Sequence, residues 1–382
     1  MRSKILPAIL LLLFWAPSIF AFQPKKPTPK PKPSPSVPKP TPKPSASVPK
    51  PTPKPSPSTP GAVQKHEVVP LADRIFNLPA FAFLLVMSVI GFGLGAAVGA
   101  EGLKDSKGDA ALRGLEAAIL AVVGGLLARF FIALLIWLGN DSPAVEIAVG
   151  WFFFLIPGLV DMIAYFKDGE TVTSPDFLIW MGTAIGSFTG LMNGLWKIHN
   201  WKGLGYLAFP LDVTWGLTGA MTGSLLHLIN FAWADHQDDG RREAHRYRSG
   251  ARLKGTFAFT QGPVMSNLKV APGGTKTLYH HERTHVWQNR AFGPLFTLSY
   301  LGWMAVWIIP ALIAAAAKKD SKAIDAWCYY NNPWETWAYL VGAGPRKGRH
   351  PLIWGDIVIL LLSLPFFAGM ISLLAWAASE AW

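Results

Sequence analysis

A single cysteine, Cys328, stands among 382 residues, which excludes an internal disulfide framework and any cysteine-rich metal site. Charge is scarce as well. Only 15% of the residues are Asp, Glu, Lys or Arg, against about 25% in soluble domains. Acid is missing altogether from residues 1–65, where Arg2, Lys4 and nine Lys between 23 and 65 carry eleven of the twelve net positive charges. From His66 onward the net charge is only +1. The basic balance belongs to a tail, and a folded nucleic-acid-binding face is excluded.

What fills the chain instead is apolar: 51% hydrophobic residues, with 17 Trp and 23 Phe. Residues 1–21 read as a secretory signal, with Arg2 and Lys4 before the apolar stretch Ile5–Phe20 and Ala21 at the cleavage position. An uncleaved anchor is the other reading of the same segment. Residues 22–70 form a Lys/Pro-rich extracytoplasmic linker in which Lys-Pro-Thr-Pro-Lys-Pro recurs at 26–31, 39–44 and 50–55. Alternating proline removes backbone donors and favours polyproline II, so this stretch is a stiff cationic spacer without a core. An anionic envelope polymer is a partner that its charge would suit.

Beyond Leu71 the pattern is that of an α-helical polytopic membrane protein. Apolar runs at about 79–100, 115–138, 145–166, 177–196, 205–232 and 352–378 each meet the requirement of about 20 residues for a span. Five of them make a transmembrane region over 71–233, and the sixth is a final helix within 351–382. Gly91, Gly95 and Gly99 in the first run form a small-residue stripe suited to close helix packing. Arg129 and Asp212 lie deep in their runs and are costly there unless paired. Arg129 falls about 21 Å from the inner end of its span at 1.5 Å per residue, and Asp212 reaches a similar depth. Asp161 falls near an inner end. An Arg129–Asp212 contact is therefore expected, with a structural role.

The longest polar stretch, 234–292, carries the chemistry. A basic run from Arg241 to Lys254 marks a cytoplasmic loop. Thr256–Thr260 alternates like a strand, Ala271-Pro-Gly-Gly274 reads as a turn, and a helix follows. That helix contains His281-Glu282-x-x-His285. Residues four apart share a helix face, so the two imidazoles can converge on one zinc ion. Glu282 is then placed to take a proton from a water on that ion. The plainer reading of the same residues is an amphipathic helix with surface histidines. A catalytic zinc needs a third ligand and an open position. Glu335, in Asn331-Asn-Pro-Trp-Glu-Thr-Trp-Ala-Tyr339, is the best candidate, although Asn332, Pro333 and Glu335 also spell a helix start with a capping-box carboxylate. His236 and His245 are substitute ligands if Glu335 fails, and His280 is a neighbour in the wrong register. Trp287, Trp303 and Trp307 suit membrane-interface packing.

His281-Glu-x-x-His285-x-x-Gln288, then Gly293-Pro-Leu and Glu335-x-x-Ala338, resembles the gluzincin metallopeptidases. Within them it is most similar to the membrane-embedded type, whose downstream element is Glu-x-x-Ala-Asp. The resemblance covers about 275–340. It implies zinc ligands His281, His285 and Glu335, with Glu282 as general base, in a small zincin-like α+β insert spanning 234–350. Tyr339 replaces the family's Asp, removing the carboxylate that orients a ligand histidine.

Charge also bears on topology. Counted from an external N-terminus, five spans leave the His281 helix on the cytoplasmic side of the inner (plasma) membrane. Lys318, Lys319, Lys322, Arg346, Lys347 and Arg349 mark 318–350 as cytoplasmic too. Gly293–Ala317 is therefore expected to be a re-entrant or interfacial hairpin, interrupted by Pro294 and Pro310, leaving six true spans. Lys197 and Lys202 fall in a loop assigned outside and are an exception. The reading that joins these features is a membrane-integral zinc metallopeptidase acting on a peptide or membrane-protein substrate. The alternative is a non-enzymatic membrane scaffold or transporter with a relic or structural metal site. A two-His, one-carboxylate set also accepts other divalent ions.

Overall fold

The computed structural model describes residues 69–231, 234, 236–237, 241–251, 257–268 and 275–339. The signal region, almost all of the Lys/Pro linker, Thr256, the turn at 271–274 and the final apolar run lie outside them. The described chain is mostly helical, and its starts follow local chemistry. Asn77 caps α1 (Leu78–Ala97), Ser106 caps α2 (Lys107–Leu138), Ser142 caps α3 (Pro143–Val149) and Ser174 caps α5 (Pro175–Leu195). Each accepts a hydrogen bond from a first-turn N–H, and proline in the first turn accompanies three of the four.

Among the described residues, three helical stretches are long and apolar enough to cross a membrane: Leu71–Leu103, Lys107–Leu138 and Pro294–Lys318. α1 packs on α2 along the expected small-residue stripe. A Cβ at Gly95 would lie 2.7 Å from Gly114 Cα, and one at Gly91 would lie 3.0 Å from Ala117 O. α2, α5 and the run at 145–166 carry most of the largest apolar core, including Ala128, Ile132, Phe152, Phe153, Leu178 and Ile179.

Two of the expected spans are each broken into shorter helices. The run at 145–166 is α3, a π-helical continuation Gly150–Phe154, a reversal at Leu155 (φ 61°) and α4 (Ile156–Asp168). Its arms meet closely: a Cβ on Gly158 would lie 1.9 Å from Trp151 N, so only glycine fits. Thr171 donates to Glu146 at 2.8 Å, bringing the two ends of the run together. Asp161 receives Val172 N and Thr173 N at 2.9 and 2.7 Å, which fixes the turn that follows.

The run at 205–232 is likewise two helices, α6 (Gly205–Val213) and α7 (Leu217–Phe231), broken at Thr214–Gly216. The loops on either side touch. Glu243 N donates to Ile198 O at 2.8 Å, Asn200 N donates to Glu243 Oε1 at 2.7 Å, and Asn193 contacts both His199 and His245. Lys197 and Lys202 therefore flank a loop that touches the one carrying Arg241. Hydropathy measures how long an apolar run is; it does not register where the run turns back.

Gly293–Ala317 is also corrected. It is one continuous helix, α9 (Pro294–Lys318), with Pro310 accommodated inside it. The reversal comes later, at Lys319–Ser321. The return segment passes through Lys322–Ile324 and the π-helical Asp325–Tyr330 into α10 (Pro333–Ala338). Trp303 donates to Trp327 O at 3.2 Å and Trp307 packs on Trp327, so the return runs back along α9.

Strands β1 (His245–Arg246), β2 (Phe259–Gln261) and β3 (Val264–Ser266) form a small sheet in the order β1-β3-β2. β1 is parallel and β2 antiparallel to β3. β2 is left at an edge. The sheet and α7 flank α8 (Thr275–Phe292), the helix that bears the His-Glu motif. At its end Gly293 adopts φ 54°, and a Cβ there would lie 2.5 Å from Trp215 O, so glycine is required at the corner into α9.

The expected Arg129–Asp212 contact is replaced by two others. Arg129 donates to Ile75 O at 3.0 Å and to Thr183 Oγ1 at 3.3 Å, and its guanidinium lies over Trp180. Asp212 is taken by Arg290 of α8 in a bidentate pair, both bonds 2.8 Å and both side chains fully buried. Removing one partner of such a pair costs about 3–5 kcal/mol, whereas replacing both by apolar groups costs far less. Asp212→Leu should therefore lower the unfolding temperature in detergent sharply, and adding Arg290→Met should recover most of the loss. Arg129→Leu should add to Asp212→Leu without recovery.

Candidate metal centre

α8 presents His281 and His285 on one face, one helical turn apart. α10 supplies the third group. Asn332 caps it by accepting from Trp334 N at 3.1 Å, so the helix start is met without Glu335. Glu335 is free to turn inward, and both readings of its segment are satisfied by different residues. One of its oxygens lies 3.2 Å from His281 Nε2 and the other 3.2 Å from His285 Nε2. The two Nε2 atoms are themselves 3.2 Å apart. Donors about 2.0 Å from a common centre in tetrahedral array have edges of about this length. All three residues are buried, and Glu335 Oε2 has no hydrogen-bond donor among the described residues. A buried anionic oxygen facing two imidazole nitrogens is the arrangement that a divalent cation satisfies, so the cluster can hold a metal ion.

The electrostatics agree. Burial raises the cost of ionising Glu335, yet the His285 and His281 imidazoles that face its two oxygens hold its carboxyl well below the usual carboxylate range. Burial opposes a charge on His285 as well. The Glu335 carboxylate overcomes that penalty, helped by Glu282 and Gln288, and pushes the imidazole up to about 9. Without a metal the site draws in a proton to supply the positive charge it lacks.

The surroundings fix the donors. Gln288 Oε1 pairs with His285 Nδ1 at 2.8 Å, and its amide donates to Trp334 O at 3.2 Å, linking α8 to α10. Tyr300 of α9 donates to Glu335 Oε1 at 2.8 Å. Tyr339 sets its ring 4.2 Å from that of His281. His281 Nδ1 is buried without a hydrogen-bond partner among the described residues, so packing orients that ring. Tyr300 carried no sequence signal, because it follows His285 by fifteen residues in an apolar helix.

Glu282 is 4% exposed and lies beside the donors, with Thr260 of β2 donating to its Oε2. Both line a cavity of about 610 Å³ together with His285, Glu335 and Tyr300. The remaining wall is mainly apolar, drawn from α7, α9, β2 and the return segment. The substitute ligands do not join the site. His236 Nε2 and His245 Nδ1 are 3.0 Å apart, and His245 Nε2 pairs with Asn193 at 2.8 Å. His280 is exposed on another face of α8.

No family model, curated protein or solved structure matches this chain.

The raised pKa of His285 yields a test that needs no substrate. Below about pH 9 the metal-free site holds a proton, which an entering metal must displace. Zinc binding at pH 7 should release about one proton per ion, and affinity should fall about tenfold per pH unit as pH drops below 9. Calorimetry in buffers of different ionisation enthalpy measures the release. Zero release at pH 7 would contradict the arrangement. The same shift makes the metal-free protein most stable below the ordinary histidine pKa, with that contribution lost as pH rises through about 9.

Proposed function

We propose that this chain is a membrane-integral, zinc-dependent metallopeptidase, with His281, His285 and Glu335 as ligands and Glu282 as general base. The observation that carries the reading is the position of Glu282: on the wall of a cavity, beside the buried donor set, and held by Thr260. A structural metal site fills its positions with protein and has no use for such a carboxylate. The cavity beside the donors weighs against a scaffold with a closed structural metal site. When bound, zinc supplies Lewis acidity at the scissile carbonyl and lowers the pKa of water.

The protein residues do the rest. Glu282 takes the proton of the attacking water and returns it to the departing amine. Thr260 keeps one carboxylate oxygen oriented and leaves the other for proton transfer. Tyr300 holds Glu335 so that both of its oxygens face the imidazoles. β2, at the sheet edge and in the cavity wall, pairs with the main chain of an extended peptide or membrane-protein segment.

The ligand roles and the base role separate experimentally. His285→Ala or Glu335→Ala should strip most of the zinc from purified protein. Glu282→Gln should keep near-normal zinc yet lower peptide cleavage by about 10²–10⁴-fold, because an amide cannot take up the proton. Full activity in Glu282→Gln would overturn the mechanism whatever its metal content.

The proposal places the N-terminal tail outside the inner membrane and the metal centre on the cytoplasmic side. In this reading the 21-residue α5 crosses along with α1 and α2, and the helical hairpins at 143–168 and 205–231 do not, which keeps that side consistent with an external tail. Lys318, Lys319 and Lys322 at the turn after α9 assign that turn to the site's side as well. A cysteine at Ser321, in a Cys328→Ser background, should then resist impermeant thiol reagents applied outside intact cells. Rapid external labelling would mean that α9 crosses.

A further inference from the structure

α8 carries a second concave surface, away from the metal donors. Its cavity, about 790 Å³, is lined by the cations Lys202, Arg241, Arg242 and Arg283 and also by the apolar Leu204 and Trp337. Arg241 already has partners, 3.5 Å to Glu116 and 3.3 Å to His199 O. Among the described residues, Lys202, Arg242 and Arg283 have no carboxylate partner. Arg242 reaches only the Tyr279 ring, 5.9 Å from its guanidinium. Arg283 Nε is buried with no hydrogen-bond partner among the described residues, although stranding a charged donor is costly. The acid on the lining, Glu243, is consumed elsewhere: His199 Nδ1 holds one oxygen at 2.9 Å and Asn200 N the other at 2.7 Å. Among the described residues, the cavity therefore has an unmet demand for anionic oxygen.

Its opposite chemistry is equally definite. Leu204 is 66% exposed and Trp337 40% exposed, which suits contact with acyl chains at a membrane interface. Inorganic phosphate or a soluble metabolite would satisfy the cations and leave these apolar groups in water. A molecule with an anionic phosphate head and hydrocarbon tails satisfies both. We propose that this groove is a binding site for an anionic phospholipid, with Arg242 and Arg283 taking the phosphate and Leu204 and Trp337 flanking the tails. Guanidinium forks match phosphate oxygens in pairs, and basic pockets beside membrane helices suit acidic headgroups.

The test uses the full-length protein in neutral detergent, with fluorescent phosphatidylglycerol as the probe. Each arginine near an anionic headgroup contributes about a fivefold factor in affinity, so Arg242→Gln/Arg283→Gln should bind about 25-fold more weakly. Arg242→Lys/Arg283→Lys should keep most of the affinity, which separates charge loss from misfolding. Raised salt should weaken the wild-type protein far more than the glutamine variant. Phosphatidylcholine, whose head has no net charge, and inorganic phosphate at equal concentration should both fail to displace the probe. Equal binding by wild type and the glutamine variant would overturn the site. Displacement by inorganic phosphate at equal concentration would overturn its assignment to a lipid.

Discussion

Arg290 donates to both oxygens of Asp212 and to the main-chain oxygen of Glu243, all at 2.8 Å or less and all buried. A charge pair removed from water must recover its solvation through geometry. Here the planar fork, matched to a carboxylate and a third acceptor, supplies it. The consequence reaches past the pair itself. Arg290 lies five residues beyond His285 on the same helix, so seating it against α6 sets both the depth and the rotation of α8. Asn289 reinforces this, packed against Gly216 and Gly219 where a larger residue would clash. With α8 locked in rotation, His281 and His285 can point only toward α10 and the cavity.

The donor set shows a division of labour between hydrogen bonding and packing. His285 is oriented by Gln288, which also holds α10 through Trp334 O. His281 is oriented by the Tyr339 ring instead. A carboxylate behind a ligand imidazole raises its basicity as well as fixing its direction. An aromatic ring does only the second. Glu335 is the carboxylate that faces both imidazoles, and its burial strengthens an interaction to which Glu282 adds at His285.

The parts of this architecture that could be read from sequence were those fixed by local spacing. His281 and His285 share a face because a helix repeats every 3.6 residues, and Asn332-Pro333 spells a helix start whatever surrounds it. The glycine stripe in α1 was legible for the same reason. What escaped was everything set by chain reversal. Leu155 turns back between Gly150 and Gly158, and α6 turns back into α7, inside runs whose length and composition suit a crossing. The partner of Asp212 escaped because α8 is polar and gave no sign of entering the apolar bundle. Arg129 was the deepest cation in an apolar run, yet a backbone carbonyl, a threonine and a tryptophan suffice for it. Tyr300 needed the α9 reversal to be known before it could be placed beside Glu335.

That reversal also bears on how a peptide could be received in so apolar a setting. The cavity next to Glu282 is walled by Leu225, Ile229 and Leu301, side chains that are themselves 44–50% exposed on the outer face of the helices. A main chain entering there leaves water, and each N–H or C=O it brings costs several kcal/mol unless paired. Side chains of Leu and Ile cannot pair it. β2 can, because it is bonded to β3 on one side only and lies along the cavity wall. The same strand bears Thr260, which holds Glu282. Under the proposed function, an extended segment paired to β2 would lie beside Glu282, so the strand that satisfies the backbone also holds the carboxylate proposed as base.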